Sequence, residues 1–97
     1  MYIVTTKVKI QSGTIDEVLK RFKSTNPDLI KDQDDWVKAI FTVNAENNEV
    51  VVHAYWLNKE SYIEFSKSQK FLDVMAGFRG FFAAPPEVEI NEILFEM

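Results

Sequence analysis

At 97 residues the chain is long enough for one domain, residues 1–97, and its 46% hydrophobic and 13% aromatic content offers enough burial to exclude intrinsic disorder. A formal charge of −4 argues against a nucleic-acid partner, which needs a net basic face to displace counterions. With no cysteine, disulfides, thiolate metal sites and cysteine nucleophiles are out, and a reducing, cytoplasmic setting is expected.

The opening MYIVTTKVKI lacks the uninterrupted apolar core of a signal peptide, and no apolar run approaches the roughly 20 residues that span a bilayer. No membrane partner is expected. Residues 2–10 alternate, with Tyr2, Val4, Thr6, Val8 and Ile10 on one face and Ile3, Thr5, Lys7 and Lys9 on the other, which predicts a strand. Ser12-Gly13 breaks it. Thr14-Ile15-Asp16-Glu17 then reads as a capping box, and Ile15, Val18, Leu19 and Phe22 form one apolar helical stripe. Asn26-Pro27 is expected to end this helix, because proline disfavours helical geometry in the residue before it.

The polar connector 28–35 leads to two β-rich segments, WVKAIFTV (36–43) and EVVVHAYW (49–56), joined as a hairpin through NAENN. Asn58 is placed as the cap of a further helix, bent at Ser66-Lys67-Ser68, with Tyr62, Ile63, Phe65, Phe71, Leu72, Met75 and Phe78 as its apolar positions. A Gly/Pro-bounded loop, GFRGFFAAPP, precedes a last strand, EVEINEILFEM. There Val88 and Ile90 are out of phase with Ile93 and Phe95, so either a bulge near Asn91-Glu92 or burial on both faces is expected.

The order β-α-β-β-α-β is the ferredoxin-like α+β arrangement, a four-stranded antiparallel sheet with both helices on one face. The second face is not polar in this sequence: Val51, His53 and Tyr55 share one side of the third segment, and Trp36 and Ile40 one side of the second. The simplest cover for that face is another copy of the same sheet, which predicts a homodimer through the sheet faces.

Chemistry-bearing motifs are sparse. The single histidine, His53, sits mid-strand as a hydrogen-bonded interface or core residue, and no HExxH, GxSxG, P-loop or GxGxxG occurs. Asp32, Asp34 and Asp35 lack the pattern of a calcium loop and read as a solvated loop, so no metal site is expected. The aromatic stripe of Tyr62, Phe65, Phe71 and Phe78 reads as core or as the wall of a cleft for a flat hydrophobic small molecule, with Thr6 the one polar side chain on the inner face of the first strand. Arg79, between Phe78 and Gly80, reads first as a solvated arginine and second as a partner for an anionic substituent at the mouth of that cleft. No catalytic residue follows from the sequence. Thr6, His53 and Tyr62 are the few polar groups available for that work.

The stretches TTKVKIQSGTIDEVLKRF and VVVHAYWLNKESYIEFSKSQKF, with the run W-x-x-K-E-x-Y-x-x-F-x-x-S-x-x-F from Trp56 to Phe71, resemble the antibiotic-biosynthesis monooxygenase superfamily of dimeric α+β barrels. Their spacing is nearest the heme-degrading members. The resemblance implies a monooxygenase, an oxidoreductase acting on a quinol-like substrate or heme, with either no cofactor or heme. The heme degraders' Asn, Trp and His fall at Thr6, Phe65 and Met75, so all three differ. A non-catalytic dimer, binding a small ligand or serving structure, is the alternative. An open cleft at Thr6, Phe65 and Met75 favours the monooxygenase or the ligand binder; a closed one favours the structural dimer.

Overall fold

The computed structural model describes residues 1–97 as β1 (Tyr2–Lys9), α1 (Ile15–Ile30), β2 (Trp36–Asn44), β3 (Glu49–Trp56), α2 (Lys59–Ser66), α3 (Gln69–Ala76) and β4 (Glu87–Glu92), with a 3-10 turn at Arg79–Phe81. A single antiparallel sheet, in the order β2-β3-β1-β4, puts β1 and β3 at its centre, as the ferredoxin-like reading requires. The alternation in β1 translates directly into burial: Val4 and Val8 are enclosed while Lys7 and Lys9 reach solvent.

Helices occupy one face only. Against Val8, Ile10 and Val50 pack Val18 of α1 and Phe78; against Val4 and Trp56 pack Leu29 of α1 and Phe65 of α2. Val74 of α3 touches both clusters. The opposite face carries Ile3, Thr5, Ile40, Val51, His53 and Tyr55, with no element of the chain over it. Ile40 is 44% exposed there. Asn58 caps α2 by accepting from the Ser61 amide at 2.8 Å, and Ser68 caps α3 by accepting from the Phe71 amide at 3.2 Å, so the bend at 66–68 is a stop followed by a restart.

Four expectations are corrected. The capping box does not form: the Thr14 hydroxyl donates to the Gln11 carbonyl at 2.6 Å, in a turn that Gly13 makes possible at φ +81°, and caps nothing. Asp16 and Glu17 in the first turn still suit the positive end of the helix.

Pro27 does not end α1, which continues to Ile30. The interruption costs about 3 kcal/mol in an isolated helix. It is offset by Leu29, 5% exposed against the Trp56 cluster, and by Lys70 of α3, which donates to the Asp28 carbonyl at 2.8 Å. Side chains also serve the preceding turn, with Thr25 donating to the Arg21 carbonyl and the Asn26 amide to the Phe22 carbonyl.

Trp36 does not share a face with Ile40. Trp36 pairs with Trp56 and Lys38 with Tyr55, so Val37 is an extra residue that shifts the alternation and turns Trp36 toward the helices. Finally, β4 has neither a bulge nor two buried faces. Its pairing with β1 is regular to Tyr2↔Glu92, where β1 itself begins. Ile93 makes one last bond to the Met1 carbonyl, and Leu94 and Phe95 are 86% and 72% exposed.

Candidate functional site

Between the helices and the inner face of the sheet lies a cavity of about 940 Å³. Its floor is Val4, Thr6, Val52, Ala54 and Ile90; its walls come from α1, α2 and α3; exposed Ala83, Ala84 and Pro85 border it on the side of the loop before β4. Such space exists because two separate apolar clusters, rather than one, hold the helices to the sheet. Small residues on the floor, Ala54 of β3 and Ala39 of β2, leave room that a larger side chain would fill.

Thr6, Phe65, Phe71, Met75 and Phe78 all line this cavity, and so does Tyr62. His53 does not. It points to the opposite face, where its Nδ1 lies 3.4 Å from the Thr5 hydroxyl. Met75 is half-buried, and Phe65 stacks at a tilt on Trp56 with centroids 5.2 Å apart and edge-on to Phe71 at 5.1 Å. The aromatic run of the second helical region therefore serves both purposes considered for it: Phe65 is core on one side and cavity wall on the other.

The polar lining is short: Thr6, Asn26, Tyr62, Ser66 and Arg79, with no carboxylate and no lysine. Two of these are already engaged, Asn26 with the Phe22 carbonyl at 3.1 Å and Ser66 with the Ile63 carbonyl at 2.7 Å. Thr6, Tyr62 and Arg79 remain for a ligand. Burial raises the Tyr62 phenol above its ordinary pKa of 10.0, so near neutrality it is a hydrogen-bond donor and not a base.

Sequence reasoning missed two parts of this site. Trp36 lines the cavity only because of the extra residue at Val37, and no sequence signal marks this, since Trp36, Lys38, Ile40 and Thr42 alternate in phase along the segment. Trp56, 1% exposed, also lines it, and its indole N–H has no hydrogen-bond partner. Asp35, expected in a solvated loop, is half-buried. Its Oδ2 accepts from the Asn58 amide at 2.7 Å and from the Ser61 hydroxyl, while its carbonyl accepts from the Leu57 amide. This tie joins the start of β2 to the start of α2 and so sets Trp36, Trp56 and Tyr62 around one end of the cavity. No cluster of three or more His, Asp or Glu side chains could hold a metal ion, and no helix is long and apolar enough to cross a membrane.

A family model described as antibiotic biosynthesis monooxygenase matches residues 1–77. No curated protein matches the sequence with significance. Among solved structures, SnoaB, a cofactor-independent oxygenase from Streptomyces nogalater, superposes with TM-score 0.81 at 12% identity, over 99% of this chain and 95% of that one. Rv0793 from Mycobacterium tuberculosis gives 0.79 at 14% identity, over 98% and 96%. A Caulobacter crescentus protein that carries the family's name gives 0.84 at 15% identity, over 97% and 90%. At these identities the likeness is one of fold.

Proposed function

The chain belongs to the antibiotic biosynthesis monooxygenase family, and on that premise we propose that its cavity binds a flat hydrophobic small molecule of the quinol type and promotes its oxidation by dioxygen. The observation that carries this reading is the open, aromatic-walled cavity itself, with Thr6, Phe65 and Met75 on its lining. A domain kept only for structure would have closed that space with its own phenylalanines. That SnoaB is a cofactor-independent oxygenase on the same fold agrees with the reading.

Heme does not fit the donor set. Iron is held in proteins by imidazole, thiolate, methionine paired with histidine, or phenolate. The cavity offers the Met75 thioether without a histidine, and a Tyr62 phenol whose ionisation burial opposes.

Neither Thr6 nor Tyr62 is basic, so an acidic substrate gives its proton to bulk water before it enters. Dioxygen is the oxidant, one of its oxygen atoms replacing the two hydrogens of the reacting CH2 carbon and the other leaving as water. The role of the protein is to hold that substrate dry and flat between Phe65, Phe71 and Phe78, and to donate from the Tyr62 phenol to the oxygen on which negative charge develops. Thr6 orients the same group from the floor. The absence of a base on the lining also favours a second reading, a non-catalytic dimeric carrier of the same kind of ligand.

The test is oxygen uptake with an anthrone as substrate. Uptake above autoxidation, with Tyr62→Phe lowering kcat about 100-fold and changing KM little, is the expected outcome. Saturable binding without protein-dependent uptake would leave the carrier. Loss of neither kcat nor KM in Thr6→Val would remove Thr6 from the assignment.

The unpartnered sheet face, with Ile3, Ile40, Val51 and Tyr55 around His53, supports a homodimer packed sheet to sheet, which leaves both cavities on the outer, helix-covered sides.

A further inference from the structure

The chain contains only two arginines, Arg21 and Arg79; Arg79 lines the cavity, and Arg21 lies against the 3-10 turn that Arg79 opens. The Arg21 guanidinium lies 5.2 Å from the centroid of the Phe81 ring in the same turn. In a protein of 15 acidic and 11 basic residues, arginines are expected to find carboxylates, since their planar fork matches that group best. Neither does. The four ion pairs of the structure, Lys9–Glu49, Lys20–Glu17, Lys31–Asp28 and Lys70–Asp28, are all made by lysine. No carboxylate stands on the cavity lining, so nothing there repels an anion or competes for Arg79.

We infer that the ligand of this cavity is a flat aromatic acid, whose carboxylate or acidic phenolate is held by Arg79 at the 3-10 turn while its rings lie among the phenylalanines. This inference rests on the reading of the cavity as a site for a flat hydrophobic molecule and adds the anionic group to it. The arrangement separates two tasks. Apolar burial among the rings supplies affinity for any planar ligand. Arg79, exposed at the rim, selects those with an acidic substituent. The selection is modest in size because a rim pair is screened by solvent.

Both tryptophans of the chain, Trp36 and Trp56, line the cavity, so a bound anthracene quenches their emission and reports occupancy directly. The probes are 9-anthracenecarboxylate and its neutral analogue 9-anthracenemethanol, titrated into the wild-type protein, Arg79→Gln, Arg79→Lys, and Lys38→Gln on the opposite sheet face. The wild type is expected to bind the carboxylate about fivefold to tenfold more tightly than the carbinol. Arg79→Gln brings the two Kd values to within about twofold of each other, Arg79→Lys keeps part of the preference, and Lys38→Gln keeps all of it.

The wild-type preference also shrinks as salt rises to about 0.5 M, a readout that needs no variant to fold. Equal affinity of the wild type for the two probes, or a preference that survives in Arg79→Gln, overturns the inference and leaves the cavity as a ligand site. If neither probe binds saturably, the cavity reading fails and the inference falls with it.

Discussion

Replacing Asp35 by alanine is expected to destabilise the protein far more than an ordinary change at a loop acidic residue. Its carboxylate accepts from two side chains, Asn58 at 2.7 Å and Ser61, and all three residues are half-buried. Hydrogen bonds to a charged acceptor contribute about 1.5–3 kcal/mol when enclosed, and partial exposure brings each to about 1 kcal/mol, so Asp35→Ala should cost about 2 kcal/mol. Asn58→Ala loses one of those bonds and the cap on Ser61, also about 2 kcal/mol in all. Because the Asp35–Asn58 bond is common to both, the double variant should cost about 3 kcal/mol, a coupling near 1 kcal/mol. Urea unfolding followed by tryptophan emission gives these values, and for a domain of this size Asp35→Ala should lower Tm by about 8–16 °C. Asp35→Asn retains an acceptor and should lose about half as much. A cost below about 0.5 kcal/mol for Asp35→Ala, or strict additivity in the double variant, would refute the view that this tie is the joint between β2 and α2.

Pro27→Ala restores an amide for the Lys23 carbonyl inside α1 and should stabilise the protein by about 1–2 kcal/mol, read from the shift in urea midpoint; destabilisation would mean that the proline shapes the turn holding Leu29. Tyr62 ionises less readily folded than unfolded, so the unfolded chain loses its proton first as pH rises. The contribution is full below pH 10.0 and is lost as pH rises through the higher folded value, and Tyr62→Phe should flatten that alkaline limb of stability against pH. Ile40→Lys places a charge on the uncovered sheet face and should convert the proposed dimer to a monomer in sedimentation velocity while leaving far-UV circular dichroism unchanged. A dimer that persists at the same concentration would exclude that face as the contact.

The sequence by itself determined the order of elements and the inner face of β1 and β3, because a period of two or of 3.6 is a local property that Val4, Val8, Val50 and Val18 display without help from distant residues. The Asn58 cap and the Ser66–Ser68 bend were legible for the same reason, as each cap bonds an amide three residues on. The family likeness rode on that local pattern and placed Thr6, Phe65 and Met75 together before any coordinates. What only the tertiary structure decided were the places where a local rule met a distant partner. Pro27 stays inside α1 because Leu29 and Lys70 hold the last turn from outside. Trp36 turns inward because pairing with β3, not its own neighbours, chooses which residue is extra. The end of the last strand at Glu92 is read from its pairing with Tyr2, the first residue of β1, and not from its own alternation. The joining of Asp35 to Ser61, 26 residues apart, leaves no periodic trace at all. Cavity and rim arginine belong to this second class, since empty space and an unpaired charge are defined by what the rest of the fold does not bring near.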